Sequence, residues 1–531
     1  MDEKPQKFQL KKWQVVVISL LTLSLLGFAI CLTILISLAP LIEKNIRATT
    51  YLEPGSSVFE KWLNPQYMLE TRMWTYSVKN PDEILKNHKP VVKKQGPYVF
   101  DQVHKRKIHS IENSTVKYET FSYYYFNESK SCETCYLYNR VWIPNMIYQK
   151  FVEAASKPSM KAATAALLVQ TPFLEVEVSE MLFEGYADPF LDQVCSLPFV
   201  NFVCESVLDL PDRIGFFFEK NASTSGVYVV DSGHDDADLI GNIKSWNGQN
   251  RVPDAWWSNY EATEIHGTDG TLFNPFLSKE QKITVFVKDL CRSIDLYFKE
   301  EIDYKGITAY RYVIPQKELD TTRPENKGYC NENNKIIYPE QPKDCLPPGL
   351  IDLSRCQRGE PPIIFSLPNF LYTPKYVQES VEGLDTPDVE NDEIELDFEP
   401  RLGSLFRAIR RSQINIAMWR GANLTIPGLD LSKFRNVIIP VIRIDDIAEM
   451  DTPTFDLIKE KLILTERLVR TITITGMATA IILAILTGML CCYKSGNFSR
   501  KYAVSPDQNE STMPEAATTT TITTTNNIQK S

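Results

Sequence analysis

Two long segments without charged side chains constrain this chain more than any other feature of its sequence. The first runs from Trp13 to Ile42 and the second from Thr471 to Tyr493. A helix needs about 20 apolar residues to cross a hydrocarbon layer of about 30 Å, and both segments are long enough. Basic residues border the second segment, at Arg470 and Lys494, and lysines precede the first. The pattern predicts two transmembrane helices, over 13–42 and 471–493.

The first segment has an alternative interpretation as a secretory signal peptide, with a cleavage site at Ser37–Ala39. The apolar region of a signal peptide is about 7–15 residues long, however, and this one is much longer. Pro40 also follows the candidate cleavage position. We therefore interpret the segment as an uncleaved membrane anchor.

Two spans place both chain ends on the same side of the membrane. Basic residues in the two tails favour the cytoplasm under the positive-inside rule, although Arg467 and Arg470 weaken the asymmetry. The sequence therefore predicts cytoplasmic tails over 1–12 and 494–531, with an extracellular or luminal domain over 43–470. The C-terminal tail ends in a Thr-rich, low-complexity stretch that is typical of disorder.

Four Asn-x-Ser/Thr sequons lie between the predicted spans. Each alone is a weak pattern, but together they fit a domain on the non-cytoplasmic side of a membrane. We predict N-glycosylation at Asn113, Asn127, Asn221 and Asn423.

The cysteines between the spans are even in number, which suits a compartment that permits disulfides. Local spacing suggests two short loops, Cys132–Cys135 and Cys195–Cys204. The first pair forms a Cys-x-x-Cys motif, which also occurs in redox dithiols and zinc sites. Because the motif follows a strand-like aromatic run and has no histidine nearby, we favour a structural disulfide.

Three further cysteines belong to the predicted spans. Cys491 and Cys492 close the second span beside Lys494, and juxtamembrane cysteines are candidates for palmitoylation. The alternative is a pair of unmodified thiols. Cys31 lies inside the first span, where a thiol behaves as a small apolar group.

Strand patterns dominate the region between the spans. Runs rich in β-branched and aromatic residues, bounded by Gly, Pro, Asn or Asp, occur at 115–126, 282–289, 306–315 and 436–445. No helix alternates regularly with them, which argues against a doubly wound parallel sheet and favours an antiparallel sheet or barrel. The Ala-rich segment 143–207 is interrupted by prolines and predicts a cap of several short helices.

Composition and motifs argue against two classes of function. The formal charge of −10 is unlike the basic surface of a nucleic-acid-binding protein. The sequence contains no H-E-x-x-H, G-x-S-x-G or Walker A motif, so we expect no enzyme activity and no cofactor. The acidic stretch Asp231–Asp238 surrounds His234, but its composition fits an exposed turn better than a metal site.

Several motifs, in their order and spacing, resemble those of the class B scavenger receptor family. They are GPYVF (96–100), GYADPF (185–190), IHGTDGTLFNPF (265–276), LCRSIDLYF (290–298), GITAYRYVIP (306–315) and GLIDLSRCQRGEPPIIFSLPNFLY (349–372). Together with both spans, the resemblance covers most of the chain, from Trp13 to Tyr493.

The resemblance implies an α+β fold between the two transmembrane helices. Its core is an antiparallel β-barrel crossed by a hydrophobic tunnel, and an apical helical bundle corresponds to 143–207. It also implies that the apex binds lipids or lipoprotein particles. The tunnel would then pass fatty acid, sterol or sterol ester to the bilayer.

The same resemblance leaves two functions open. The first is a lipid or lipoprotein receptor of the plasma membrane. The alternative is an endolysosomal sorting receptor, or a phagocytic receptor, that binds a protein or particle and resides in the lysosomal membrane. The tails contain no convincing sorting signal, which favours the cell surface. Homo-oligomerisation is left open, and no nucleic-acid partner is expected.

The family pattern also bears on individual residues. It implies disulfides Cys291–Cys356 and Cys330–Cys345, whereas a third family pair is missing because its first cysteine falls near Ala262. Several family members carry a basic cluster at the apex that attracts anionic ligands. Here the candidate apical contacts are Lys150, Lys157 and Lys161, and five glutamates in the same region oppose them.

Overall fold

The computed structural model describes residues 11–501, except 66, 158–166, 169, 196–203, 205–208, 210–211, 332–334, 344, 422–423 and 425–430. The Thr-rich stretch, for which the sequence predicts disorder, lies outside the described residues. The chain divides into two compact units, one formed by Met1–Ala39 with Arg467–Ser531 and the other by Pro40–Glu466.

The described helices are of two kinds, α-helices and short 3-10 or π-helical turns. The α-helices are Lys12–Thr49, Ser57–Leu63, Pro81–Ile84, Met146–Ala155, Lys375–Gln378, Val389–Asp392, Thr452–Ile458 and Thr465–Lys501. Short 3-10 or π-helical turns occur at Glu180–Glu184, Leu191–Cys195, Ala237–Leu239, Glu261–Thr263, Lys288–Leu290, Gln316–Leu319, Pro324–Tyr329, Ser354–Cys356, Pro368–Phe370 and Lys459–Leu464. The first and last α-helices are long and apolar enough to cross a membrane, as predicted.

The two long helices contact each other within their own unit. The Ser24 hydroxyl donates a hydrogen bond to the backbone carbonyl of Ala480. Gly476 packs so closely on Cys31 that an added Cβ would lie 2.9 Å from its sulfur. Small residues allow such close approach of helices in a bilayer, where packing rather than the hydrophobic effect holds them together.

The larger unit is built mainly from β-strands. They are β1 (Tyr67–Val78), β2 (Val92–Glu112), β3 (Thr115–Phe126), β4 (Arg140–Pro144), β5 (Phe173–Glu177), β6 (Ser223–Asp231), β7 (Ile243–Trp246), β8 (Ile283–Val287), β9 (Arg292–Tyr304), β10 (Ile307–Val313), β11 (Ile351–Asp352), β12 (Ile363–Ser366), β13 (Glu395–Glu399), β14 (Ser404–Met418) and β15 (Val437–Met450). Strands occur at all four segments that the sequence predicted, and β3 has the predicted bounds.

The main sheet is antiparallel at every pairing of its described strands. Its order is β7-β6-β3-β2-β1-β15-β14-β13-β10-β9-β8, and β12 joins at β14. The first and last strands of the domain, β1 and β15, are neighbours at the centre of this order. The predicted antiparallel sheet between two candidate spans is therefore confirmed.

One side of the sheet forms the core of the larger unit. Met73 of β1 pairs with Tyr98 of β2 and with Ile444 of β15, so the three side chains point to the same side. All three are buried. We call this side the core face. Side chains on this face belong to two apolar clusters, one that contains Tyr98 and one that contains Tyr118.

A buried ion network covers part of the opposite face. The Arg443 guanidinium lies 2.8 Å from a carboxylate oxygen of Asp392 and 2.9 Å from one of Asp445. The Asn369 amide donates a 2.9 Å hydrogen bond to the other oxygen of Asp392. Burial raises the pKa of Asp445. Because each charge is paired, the network avoids the cost of a lone buried ion.

The two edges of the main sheet hydrogen-bond to the same short segment, Gly267–Thr268. The amide of Ile243, in β7, donates to the Gly267 carbonyl at 2.8 Å. The Thr268 amide donates to Thr284 at 3.1 Å, and its carbonyl accepts from Phe286, both in β8, at 2.8 Å. This segment belongs to the IHGTDG motif, so the motif satisfies backbone groups that open edges would leave unpaired.

The described part of 143–207 is not helical throughout, which corrects the expectation of short helices alone. Met146–Ala155 is a helix, and the Asn145 side chain caps it by accepting the Tyr148 amide at 3.0 Å. Phe173–Glu177, however, pairs with Arg140–Pro144 as an antiparallel ribbon. Pro172 explains the change, because its ring prevents a helix from continuing through it.

We expect Gly267→Ala to destabilise the larger unit. Gly267 has φ +78°, and an added Cβ would overlap the backbone carbonyl of Thr284. Gly248 also has φ +78° but open space around it, so Gly248→Ala isolates the cost of the backbone angle. We expect losses of at least about 2 kcal/mol for Gly267→Ala and about 1 kcal/mol for Gly248→Ala. Thermal unfolding of both variants tests this, and equal losses would contradict it.

Candidate ligand-binding face

Five aromatic side chains meet at one end of the core face, and all of them except the buried Phe100 are half-buried. Phe100 contacts Phe126 and Phe183, with ring centroids 5.4 and 5.0 Å apart. Tyr124 contacts Phe183 and Phe217 at 5.3 and 5.7 Å. Phe183 comes from the turn Glu180–Glu184 and Phe217 from the loop before β6. We call these five residues the aromatic cluster. Its half-buried members pack against the apolar cluster that contains Tyr98 and Phe100.

Polar side chains follow the aromatic cluster along the same strands. Thr71 donates a 2.6 Å hydrogen bond to Asp446, and Gln102 donates to the same carboxylate oxygen at 3.3 Å. Two residues beyond Gln102, His104 lies on the same face of β2. Arg410 pairs with Asp446 in the β14–β15 ladder and therefore shares this face. The apolar core face is thus interrupted by a polar band.

A turn and a loop bring further charges to this band. Lys288 and Asp289 belong to the turn Lys288–Leu290, which directly follows β8. Lys220, from the loop before β6, lies 2.8 Å from Asp289. The charges of Lys288 and Arg410 both act on His104 and on Asp289. We call Lys220, Lys288 and Arg410 the cationic cluster.

Side chains of the polar band are partly accessible. The accessible fraction is 60% for the Asp289 side chain and 42% for that of Lys220. Arg410 is also exposed. The polar band is therefore less tightly packed than the buried apolar clusters.

The positive charges of the band shift the pKa values of Asp289 and His104. Burial opposes ionisation of Asp289, but Lys220 and Lys288 outweigh it and lower the pKa of the carboxyl to about 2. Burial, with Arg410, Arg106 and Lys288, lowers the pKa of His104 to about 4. The histidine is therefore neutral and the aspartate ionised near neutral pH, and the band has more positive than negative charge.

A disulfide fixes the turn that carries Lys288 and Asp289. Cys291 ends this turn with φ +59° and is bonded to Cys356. The indole nitrogen of Trp257 donates a 2.8 Å hydrogen bond to the Cys291 carbonyl. The position of the charges relative to β2 and β14 therefore depends on a covalent link between distant parts of the chain.

Comparison with known proteins identifies the family to which these features belong. The model of the CD36 family matches residues 20–491. The chain belongs to the CD36 family. This membership confirms the resemblance to class B scavenger receptors that the sequence motifs indicated.

Individual relatives match over most of their length. Lysosome membrane protein 2 of Rattus norvegicus is 28% identical over 485 residues, which cover 90% of this chain and 95% of the relative. The Homo sapiens protein of the same name is 27% identical over 482 residues, with the same shares. Scavenger receptor class B member 1 of Cricetulus griseus is 27% identical over 411 residues, or 76% of this chain and 75% of the relative.

The structure joins the eight cysteines between the spans into four pairs. These are Cys132–Cys135, Cys195–Cys204, Cys291–Cys356 and Cys330–Cys345. Cys135 is buried in the apolar cluster that contains Tyr98. This environment suits the structural interpretation of the Cys-x-x-Cys motif, because a redox pair needs an accessible thiol.

The predicted glycosylation sites differ in their surroundings. Asn113, at the tip between β2 and β3, and Asn221 are exposed. Asn127 is half-buried, and its side-chain nitrogen donates a 2.6 Å hydrogen bond to Asp101. Asn423 lies outside the described residues. Glycan attachment at these positions stays a prediction.

The candidate apical lysines are not equivalent. Lys150 is only 13% exposed and lies 3.2 Å from Glu360. Lys157 is exposed, and Lys161 lies outside the described residues. A ligand role for these three residues stays a prediction, and the charge of Lys150 is already engaged by a carboxylate.

The palmitoylation candidates lie within the last helix, Thr465–Lys501. Cys491 is half-buried and Cys492 is exposed, and both are free thiols. Their acylation stays a prediction. Cys31, the remaining free thiol, packs against Gly476 as a small apolar group.

Sequence reasoning missed the polar band altogether. One signal was present, because Gln102, His104 and Arg106 occupy alternate positions of a strand whose intervening residues include Lys105 and Lys107. Such a strand has no apolar face over this stretch, which is unusual for a strand that packs on a core. The other charges come from distant segments, and only the fold brings them to β2.

We expect His104 to make the protein less stable in acid. Below pH 6.5 the unfolded chain protonates this histidine, whereas the folded chain does so only near pH 4. The free energy of unfolding therefore falls as the pH decreases from 6.5 to 4, by up to about 3 kcal/mol. His104→Gln should remove this part of the pH dependence.

The measurement is urea unfolding followed by tryptophan fluorescence at several pH values. His109→Gln, which changes a histidine on the opposite face of the same strand, is the matched control. An unaltered pH dependence in His104→Gln would mean that the residue is not held neutral by its surroundings.

Proposed function

We propose that this CD36-family chain is a scavenger receptor that passes hydrophobic cargo through its larger unit to the bilayer. The observation that carries the proposal is the accessible stretch in the middle of the core face, between two buried apolar clusters. Family membership and two candidate membrane spans support it. The scavenger receptor name of one relative agrees with it.

The sheet itself supports an enclosed route. Both edges hydrogen-bond to Gly267–Thr268, and a segment that bridges β7 and β8 supports closure of the sheet into a barrel. A barrel of this kind would enclose the core face. The aromatic cluster then lines the passage, and water occupies the polar band when no cargo is present.

The energetics of such a route require no chemical reaction. Exposing an acyl chain or a sterol to water costs about 0.8 kcal/mol for each CH₂ group. A passage with an apolar lining removes this cost along its length, so cargo moves down its own concentration gradient. The expected cargo is therefore a fatty acid, sterol or sterol ester delivered by a lipid or lipoprotein particle.

Blocking the passage should abolish transfer without abolishing particle binding. Ser122 lies on the core face beside the polar band, since it pairs with His104 across β2 and β3. Ser122→Trp should reduce cellular uptake of lipid from lipoprotein to the level of cells without the receptor, while particle binding persists. Val103→Trp places the same side chain on the opposite, exposed face and is the control.

Two results of this experiment would contradict the proposal. Normal uptake by Ser122→Trp would show that cargo does not pass along the core face. Equal loss of binding and uptake would show that the two steps are not separate.

The second candidate function is an endolysosomal sorting receptor for a protein ligand. It is favoured by the high mutual coverage of the lysosome membrane protein 2 relatives, 90% of this chain and 95% of the relative. Surface biotinylation combined with co-staining for lysosomal markers distinguishes a plasma-membrane protein from a lysosomal one. A predominantly lysosomal pool that carries no lipid would favour this second function.

A further inference from the structure

One aromatic side chain of β3 has no partner among the residues that the structure describes. Tyr125 is 57% exposed and makes no side-chain hydrogen bond, ion pair or ring contact with any of them. Its neighbour Tyr124 belongs to the aromatic cluster on the core face, so Tyr125 points to the opposite side of the sheet, which we call the outer face. Val103 is exposed on the same side of β2. The outer face therefore offers an aromatic ring beside a second apolar side chain.

The predicted glycosylation site Asn127 follows Tyr125 by two residues. Asn127 continues the hydrogen bonding of β3, because its backbone amide donates to the Val99 carbonyl at 2.8 Å. Residues two apart in an extended chain point to the same side and lie about 7 Å apart. The side chain of Asn127 therefore lies on the outer face beside Tyr125.

A carboxylate fixes the position of this asparagine. Asp101 pairs with Tyr125 across β2 and β3, and Nδ2 of Asn127 donates a 2.6 Å hydrogen bond to one oxygen of Asp101. The Lys130 ammonium lies 2.7 Å from the other oxygen. Nδ2 is the atom to which an N-glycan is attached, and it keeps one hydrogen after attachment. The first sugar of a glycan thus begins next to the residue that faces Tyr125 in the ladder.

The four sequons differ in the residue two positions before the asparagine. This residue is Ile111, Tyr125, Glu219 or Gly421, for Asn113, Asn127, Asn221 and Asn423 in turn. The difference matters chemically, because a pyranose ring presents a row of C–H bonds on one side and an aromatic ring carries partial negative charge on its face. Only the sequon of Asn127 places such a ring where the first sugar can reach it.

We propose that the N-glycan of Asn127 stacks its first N-acetylglucosamine on the ring of Tyr125. The outer face of β2 and β3 is then a platform for a sugar of this chain itself and not for a separate partner. The contact withdraws an exposed ring from water and holds the chain that follows β3 against β2. Tyr125 positions the sugar by stacking, and Asp101 positions it by binding Nδ2.

The test measures how fast peptide-N-glycosidase F releases the glycan at each site of the native, full-length protein. The protein is expressed in animal cells that glycosylate it, is kept in amphipol, and the released sites are quantified by mass spectrometry of their peptides. Asn113 of the same molecule is the internal reference, because it is exposed and has no aromatic residue two positions before it. Tyr125→Thr removes the ring with a residue that suits a strand, and Tyr125→Phe retains the ring.

We expect the glycan of Asn127 to be released at least about threefold more slowly from the wild type than from Tyr125→Thr, because an aromatic contact must open first. Tyr125→Phe should match the wild type, since it keeps the ring. Release at Asn113 should be equal in all three proteins, which shows that the substitutions do not loosen the fold in general.

Thermal unfolding tests the same contact through its effect on stability. Ser129→Ala removes the sequon but leaves Asn127 in place. Tyr125→Thr should lower the melting temperature of the glycosylated chain by at least about 1 °C more than it lowers that of Ser129→Ala. The lost hydrogen bond from Ser129 to the Asn127 side chain affects both members of the second pair and cancels.

Three results would overturn the inference. An Asn127 without glycan in the wild type would remove the proposed occupant of the outer face. Equal release rates from the wild type and Tyr125→Thr would mean that the sugar does not contact the ring. Additive losses of melting temperature would mean that the contact contributes nothing to stability. The lipid-transfer function would stand in each case, because it does not involve the outer face.

Discussion

Both edge strands of the main sheet hydrogen-bond to the same short segment, Gly267–Thr268, and the rest of the larger unit depends on this contact. An antiparallel sheet with open edges exposes unpaired amides and carbonyls, which invite association with other chains. Here the backbone of one motif satisfies β7 and β8 together. Only glycine suits position 267, because its φ is positive and the Thr284 carbonyl occupies the space of a Cβ. The long strands β1, β2, β14 and β15 then lie in the middle of the sheet, and one side of them is the core face.

The core face is not uniformly packed. Apolar clusters fill its two ends, while the polar band between them keeps accessible side chains such as Asp289 and Arg410. A domain selected for stability alone would fill this stretch with aliphatic residues, because close packing and burial contribute most of the folding free energy. The charged, accessible stretch instead agrees with a passage, and the Cys291–Cys356 disulfide holds part of its wall in place. Within this stretch, burial and neighbouring positive charges keep His104 neutral, which lowers the stability of the fold in acid.

Local patterns in the sequence predicted much of this structure. Thr115–Phe126 was identified as a strand with its true bounds, since alternating β-branched and aromatic residues make a strong signal. The candidate spans followed from length and charge alone. The Phe173–Glu177 strand was missed because helix-favouring neighbours masked a five-residue strand whose partner lies about thirty residues away. The cationic cluster could not be predicted from spacing, because Lys220, Lys288 and Arg410 come from three distant segments that only the sheet order brings together.

The most direct test of the central claim, an interior that takes up lipid, is photo-crosslinking in cells that express the full-length chain. A fatty acid with a diazirine in its alkyl chain and a terminal alkyne is supplied, the cells are irradiated, and the labelled peptides are mapped by mass spectrometry. The account predicts adducts on core-face peptides that carry Tyr124, Phe183 or Phe217, with competition by unlabelled oleate. Adducts confined to the helices Lys12–Thr49 and Thr465–Lys501 would contradict it, because they would show lipid contact in the bilayer alone.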